Sequence, residues 1–217
     1  MGLTSKRVQK VYGGGSPEYD STMQRDWEPS TDRKEIISWL DLKPGDRVCE
    51  FCVGTGLNLP HYPDGVEIVG IDFTKGMLDK AQKKVKALKN KIELHEMDAS
   101  QTTFEDESFD AVLETYSLCV APDPRKVIAE MKRVCKKNGK VVVFDCVQSE
   151  SLWSRIKQYF IKPYGERFGI PRGVIIWDPT RDLVRMLEDA GLKVTKVKKI
   201  DITHPLYARK QIQCVKV

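Results

Sequence analysis

The chain contains no apolar run near the ~20 residues that a membrane-spanning helix requires. Histidine is scarce. His61, His95 and His204 are far apart, and no second cysteine pair accompanies the lone Cys49-x-x-Cys52. A zinc site would need more donors at ligand spacing, so no metal is expected. A redox CxxC begins a helix after a loop, whereas Cys49 falls inside a strand-like run. The first residues, Met1 to Arg7, carry charge without an apolar segment behind them. That argues against a secretory signal and makes a cytoplasmic location the expectation. Internal repeats and low-complexity tracts are also missing, which excludes solenoids and fibrous folds.

What remains is an ordinary globular composition, 41% apolar over 217 residues, enough for a single domain spanning 1–217. The cysteines at 49, 52, 119, 135, 146 and 214 lie mostly in apolar runs and read as buried free thiols. Charge is unevenly placed. Residues 151–217 hold 14 Lys/Arg against 6 Asp/Glu, a net of +8, whereas residues 1–150 hold 22 against 25, a net of −3. Either the C-terminal part meets an anionic partner or it carries a Lys-rich solvated surface.

Apolar periodicity alternates between strand and helix. Helices are expected over 32–41, 75–88, 124–135 and 180–190. Strands are expected over 47–51, 67–72, 92–97, 109–114 and 140–145, followed by two runs, 193–200 and 211–217, with no helix between them. Strands separated by helices make βαβ units. The expected fold is therefore α/β: a doubly wound, mainly parallel seven-stranded sheet with helices on both faces and an antiparallel C-terminal edge. Two segments fall outside this pattern. Residues 1–30 include Gly13-Gly14-Gly15-Ser16-Pro17 and read as an N-terminal lid. Residues 148–176 read as an acceptor-side insert. In the insert, Leu152, Trp153, Ile156, Tyr159 and Phe160 share one helical face beside Arg155, Lys157 and Lys162. Such a face either packs on the sheet as a lid or lies on an anionic membrane surface.

Ligands of doubly wound sheets bind at the carboxyl ends of the strands. Three such ends carry suitable groups. Gly54-Thr55-Gly56 follows the first strand, and its glycines allow close backbone approach. Glu50 there can accept from an ammonium group. Asp72 ends the second strand and can accept from both hydroxyls of a ribose. Asp98 ends the third and can accept from an adenine amino group. A nicotinamide-binding loop would place a third small residue where this chain has Leu59.

The run Val48 to Gly56 resembles the first motif of class I S-adenosylmethionine-dependent methyltransferases. Val69-Gly70-Ile71-Asp72-Phe73-Thr74 with Met77-Leu78 resembles their second motif. Met97-Asp98-Ala99 with Phe104 to Asp110 resembles the third, and Glu130-Met131 through Gly139-Lys140 resembles the later helix and turn. Val11-Tyr12, Tyr19-Asp20 and Val53 to Pro60 are similar to the quinone C-methyltransferases and bacterial phospholipid N-methyltransferases. The resemblance implies S-adenosylmethionine as cofactor, held by Glu50, Cys52, Gly54, Thr55, Gly56, Asn58, Asp72, Phe73, Met77, Asp98, Ala99 and Thr115. It also implies Tyr19 and Tyr12 as acceptor-side candidates; His61, in Pro60-His61-Tyr62-Pro63 near the glycine loop, is a further candidate by its position. Cys52 departs from the family, standing where the loop's first glycine is usual. A side chain there either crowds the ligand or lines its methionine pocket. After the fourth strand, Glu114-Thr115-Tyr116-Ser117-Leu118 lacks the Asn/Asp-Pro-Pro-aromatic motif of nucleic-acid amino methylases. A small-molecule acceptor is expected, with a lipid or quinone-like amphiphile favoured and no nucleic-acid partner. The alternatives are a nicotinamide-dependent oxidoreductase and a non-catalytic S-adenosylmethionine-binding protein.

Overall fold

The computed structural model describes residues 4–12, 19–22, 30–168, 178, 180–200 and 208–217. In chain order these form α1 (Ser5–Tyr12), α2 (Tyr19–Thr22), α3 (Ser30–Ser38), β1 (Arg47–Phe51), β2 (Glu67–Asp72), α4 (Lys75–Val85), β3 (Lys91–Glu96), β4 (Phe109–Thr115), α5 (Pro124–Val134), β5 (Cys135–Val147), α6 (Leu152–Phe168), α7 (Leu183–Asp189), β6 (Leu192–Ile200) and β7 (Ala208–Lys216). A short 3₁₀ turn, Leu59–His61, follows the glycine loop.

The seven strands lie in the order β3-β2-β1-β4-β5-β7-β6. β1 to β5 run parallel, and β7 pairs antiparallel with both β5 and β6. The expected doubly wound sheet with an antiparallel C-terminal edge is thus present. The last strand in sequence is inserted between β5 and β6, so β6 forms the edge. Strand order reverses at β1, with β2 and β3 added on one side and β4 and β5 on the other, which opens the crevice between β1 and β4 where such sheets bind ligands.

Residues alternate between two cores because strand side chains alternate between faces. Cys49, Phe51, Val69, Ile71, Val112, Val141 and Val143 pack with Val127, Ile128 and Met131 of α5 and with Leu183 and Leu187 of α7. Val48, Ile68, Leu113, Val142 and Phe144 pack on the other face with Ile36 and Ile37 of α3 and with Leu78 and Ala81 of α4. Pro124 sits in the first turn of α5, and Asp123 caps that turn by accepting from the Lys126 N–H. Asp182 caps α7 in the same way, through the Arg185 N–H. All six cysteines are unpaired thiols, and all but Cys52 are buried.

One boundary differs from the sequence reading in kind. Residues Cys135 to Gly139, expected to end a helix and turn, already belong to β5. Cys135 pairs with Phe109, the register slips, and pairing resumes at Lys140 with Ala111. Asn138 takes φ 63° in this bulge. A Cβ on Gly139 would come within 2.7 Å of both the Asp110 carbonyl and the Cys135 Sγ.

Gly56 ties the loop after β1 to α4. Its φ is 74°, and an added Cβ would lie 2.7 Å from Leu59 and 3.2 Å from Ala81. The Gly56→Ala variant should therefore lose about 1–3 kcal/mol of stability through strain and overpacking. Urea unfolding checks this, and an unchanged midpoint contradicts it.

Candidate functional site

The carboxyl ends of β1, β2 and β3 are stitched together by short bonds. The Val53 N–H donates to the Ile71 carbonyl at 2.8 Å, and the Met97 N–H donates to the Asp72 carbonyl at 3.0 Å. The Asp72 carboxylate accepts the Gly54 N–H at 3.0 Å through one oxygen. Its other oxygen accepts from the Thr74 N–H and hydroxyl. Burial raises the Asp72 pKa, opposed by these donors.

These ends open on a cavity of about 310 Å³. Of the expected cofactor residues, Cys52, Gly54, Asp72, Phe73, Met77, Asp98, Ala99 and Thr115 line it. Asp98 directs one carboxyl oxygen to the Ser100 N–H and hydroxyl. Gly54 has φ 55°, and a Cβ there would meet nothing nearer than the Cys52 carbonyl at 3.9 Å, so its backbone is open to a ligand. Cys52 itself takes φ 55°, the left-handed conformation a glycine adopts freely. The chain therefore keeps the backbone shape of the family's glycine while adding a thiol to the cavity wall. Burial, and secondarily the Asp72 charge, pushes that thiol pKa well up, so it is protonated.

Glu50, Thr55, Gly56 and Asn58 are not among the lining residues. They form a layer behind the wall. The Asn58 amide donates to Glu50 at 2.8 Å and to Thr115 Oγ1 at 3.0 Å, the Tyr62 hydroxyl donates to Glu50 at 3.0 Å, and Arg33 donates to the Asn58 carbonyl oxygen at 2.7 Å. Burial raises the Glu50 pKa to about 7 despite the Asn58 and Tyr62 donors. Glu114 at the end of β4 is likewise raised by burial to about 7. It accepts from the Ser117 and Leu118 N–H groups that shape the wall beyond Thr115.

Ser5, Val8 and Tyr12 of α1, within the expected N-terminal lid, also line the cavity, and Val120, Ala121, Pro122 and Val127 add an apolar stretch that the sequence reading did not name. Tyr12 is thus at the cavity as expected. His61 lies on the 3₁₀ turn and is not among the lining residues. The side chains of Tyr19 and Lys162, together with His204 and residues 169–177, lie outside the described residues. Asp20, next to Tyr19, has a role that sequence alone did not assign. It accepts from the Thr55 hydroxyl at 2.6 Å and from Lys84 at 2.7 Å, and Lys84 also donates to the Thr55 carbonyl. The Tyr19-Asp20 motif was the available signal for this latch.

The comparisons with known proteins bear on this arrangement. Residues 49–143 match the family model described as Methyltransferase domain. A demethylmenaquinone methyltransferase of Bacillus cytotoxicus is 33% identical over 185 residues, covering 76% of this chain and 78% of that protein. The chain belongs to the S-adenosylmethionine-dependent methyltransferases. A phosphatidylethanolamine N-methyltransferase of Cereibacter sphaeroides is 46% identical over 101 residues, which is 46% of this chain and half of that relative's length. The solved geranyl diphosphate C-methyltransferase of Streptomyces coelicolor, in complex with S-adenosyl-L-homocysteine, has the same fold. Its TM-score is 0.67 at 14% identity, covering 94% of this chain and 87% of that one. Membership in this family makes S-adenosylmethionine the cofactor and sets aside the nicotinamide alternative. The donor set fits the cofactor: a glycine backbone open to the cavity, with carboxylates at two neighbouring strand ends.

The raised Glu50 pKa has a consequence for stability. An unfolded glutamate ionises near pH 4.5, while the folded one holds its proton to about pH 7. Between these values the folded state binds the extra proton, so stability falls as pH rises through the window and levels off above it. The contribution is on the order of 3 kcal/mol. Glu50→Gln should flatten the fall in unfolding free energy between pH 4.5 and 7, leaving the part due to the other acids raised by burial, Glu114, Asp72 and Asp145. Titrated urea denaturation reads this, and an unaltered slope refutes it.

Proposed function

We propose that the chain transfers the methyl group of S-adenosylmethionine to a small amphiphilic acceptor, a lipid or a quinone-like molecule, met at an anionic membrane surface. The observation that carries this is the make-up of the cavity. Carboxylates line it at Asp72 and Asp98, and Val8, Tyr12, Val120 and Val127 give it an apolar wall. A polar headgroup or ring oxygen would sit near Thr115 and Ser117, with the apolar body along that wall. Two relatives are named for a phospholipid and a quinone acceptor, and both are amphiphiles of this kind.

When bound, S-adenosylmethionine supplies a methyl group already activated on a sulfonium. The protein's task is then to align the acceptor and keep water out. We assign Asp72 to the ribose hydroxyls, Asp98 to the adenine amino group, and the Gly54 and Gly56 backbone to close approach. Glu50 would bear on the ammonium group through its charge and through the Asn58 amide it holds. Tyr12 would face the acceptor, and Tyr19 would close over it, with Asp20 as the latch. His61 would act from outside the wall. Among the described residues no helix is long and apolar enough to cross a membrane, so contact with a bilayer would be peripheral.

The test is a labelled methyl-transfer assay against extracted lipids, quinones, thiols and amines, read by mass spectrometry. Label is expected in the lipid or quinone fraction. Label confined to small polar thiols or amines would overturn the acceptor class. Asp72→Ala should lower S-adenosylmethionine affinity at least about tenfold, the worth of one lost charge-assisted bond pair. Unchanged affinity in a folded variant would count against the assigned cofactor geometry.

A further inference from the structure

Over its described side chains, Leu152 to Phe160, helix α6 turns its large apolar groups to solvent. Leu152, Trp153, Tyr159 and Phe160 are between 68 and 75% exposed, and Ile156 is 40% exposed. Among these described side chains of α6, the one that is buried is polar. Gln158 is fully buried; its amide donates to the Val147 carbonyl and its oxygen accepts the Ser149 N–H at 2.8 Å. This reverses the usual pattern of a helix lying on a core.

The charges are placed to match. At roughly 100° per residue, the five apolar side chains cover an arc of about 120°, with Arg155 and Lys157 at its two edges and Gln158 nearly opposite. Both cations are exposed. An apolar aromatic stripe flanked on each side by cations suits the boundary between acyl chains and anionic headgroups. The net +8 of residues 151–217 adds long-range attraction to such a surface. A second copy of the chain fits less well. Both edges of the stripe are cationic, so packing the face on itself sets cation against cation.

The helix also starts at the right end of the molecule. It leaves the sheet just after β5, at the carboxyl edge where the cavity lies. Its root is fastened to the cavity wall: the Gln148 N–H donates to the Arg181 carbonyl, and the Arg181 guanidinium donates to the carbonyls of Leu118 and Ala121. Ala121 lines the cavity.

We propose that α6 is an interfacial docking helix whose aromatic face embeds in an anionic phospholipid bilayer and so sets the cavity against the surface that holds the acceptor. Its purpose rests on the amphiphilic-acceptor reading above, while the docking is read separately from turnover.

The experiment is flotation of the full chain with vesicles of phosphatidylcholine alone or mixed with phosphatidylglycerol. The protein should float with the mixed vesicles, less so as salt rises, and not with phosphatidylcholine alone. The Trp153→Ala/Phe160→Ala double variant should bind the mixed vesicles at least about tenfold more weakly, given the apolar area it removes from the interface. Arg155→Glu should weaken binding at low salt and converge with wild type at high salt. Because these side chains are exposed, the variants should keep their unfolding midpoint and S-adenosylmethionine affinity. Equal flotation of variant and wild type would overturn the proposal. So would self-association of the wild type that the double variant abolishes, without vesicle binding. Flotation with no methylated lipid would support docking and overturn only the acceptor reading.

Discussion

The Asp72 carboxylate accepts the Gly54 N–H at 3.0 Å, and through this bond the ends of two neighbouring strands fix one another. The glycine loop would otherwise be free to adopt many shapes, since Gly54 and Gly56 both take positive φ and glycine has wide conformational freedom. Anchoring it to a buried carboxylate selects one shape. The same residue passes the constraint on, because its carbonyl receives the Met97 N–H at the start of the Asp98 segment. Three strand ends thereby become one rigid rim. Catalysis of methyl transfer depends on such alignment more than on acid–base chemistry.

Behind the rim lies a costly layer of buried polar groups. Glu50 and Glu114 are almost wholly removed from water, which raises both pKa values to about 7. Their hydrogen bonds to Asn58, Tyr62, Ser117 and Leu118 offset part of that cost. Acids whose pKa values are perturbed by burial beside a cavity are a common mark of functional sites. Cys52 belongs to the same pattern, as a cavity-lining side chain held in a conformation that favours glycine.

Much of this was legible in the sequence. The runs at 47–51, 67–72 and 109–114 are apolar on both faces, as buried parallel strands must be, and they appear within a residue of the expected bounds. Asp72, Asp98 and the glycine loop were placed at strand ends by pattern alone, and the structure brings Asp72, Asp98 and Gly54 to one cavity, with Thr55 and Gly56 outside its lining. What was hidden depends on contacts distant in sequence. The Arg33–Asn58–Glu50–Tyr62 layer and the Asp20–Thr55–Lys84 latch join residues whose spacing carries no period. The placement of β7 between β5 and β6 follows from pairing geometry that two adjacent apolar runs do not encode. The α6 stripe was visible as an amphipathic pattern, but amphipathicity does not say which side faces inward. The polar Gln158 opposite the stripe settles that once its bonds to Val147 and Ser149 are in place.

The central claim is that one rim of three strand ends holds the cofactor. Backbone hydrogen exchange with and without S-adenosylhomocysteine tests it most directly. The account predicts slowed exchange at the amides of Gly54 to Gly56, Phe73 to Met77 and Ala99 to Ser100, together with α1, and little change along β6 and β7. Protection that spares the Asp72 and Asp98 segments, or that centres on another part of the sheet, would contradict it.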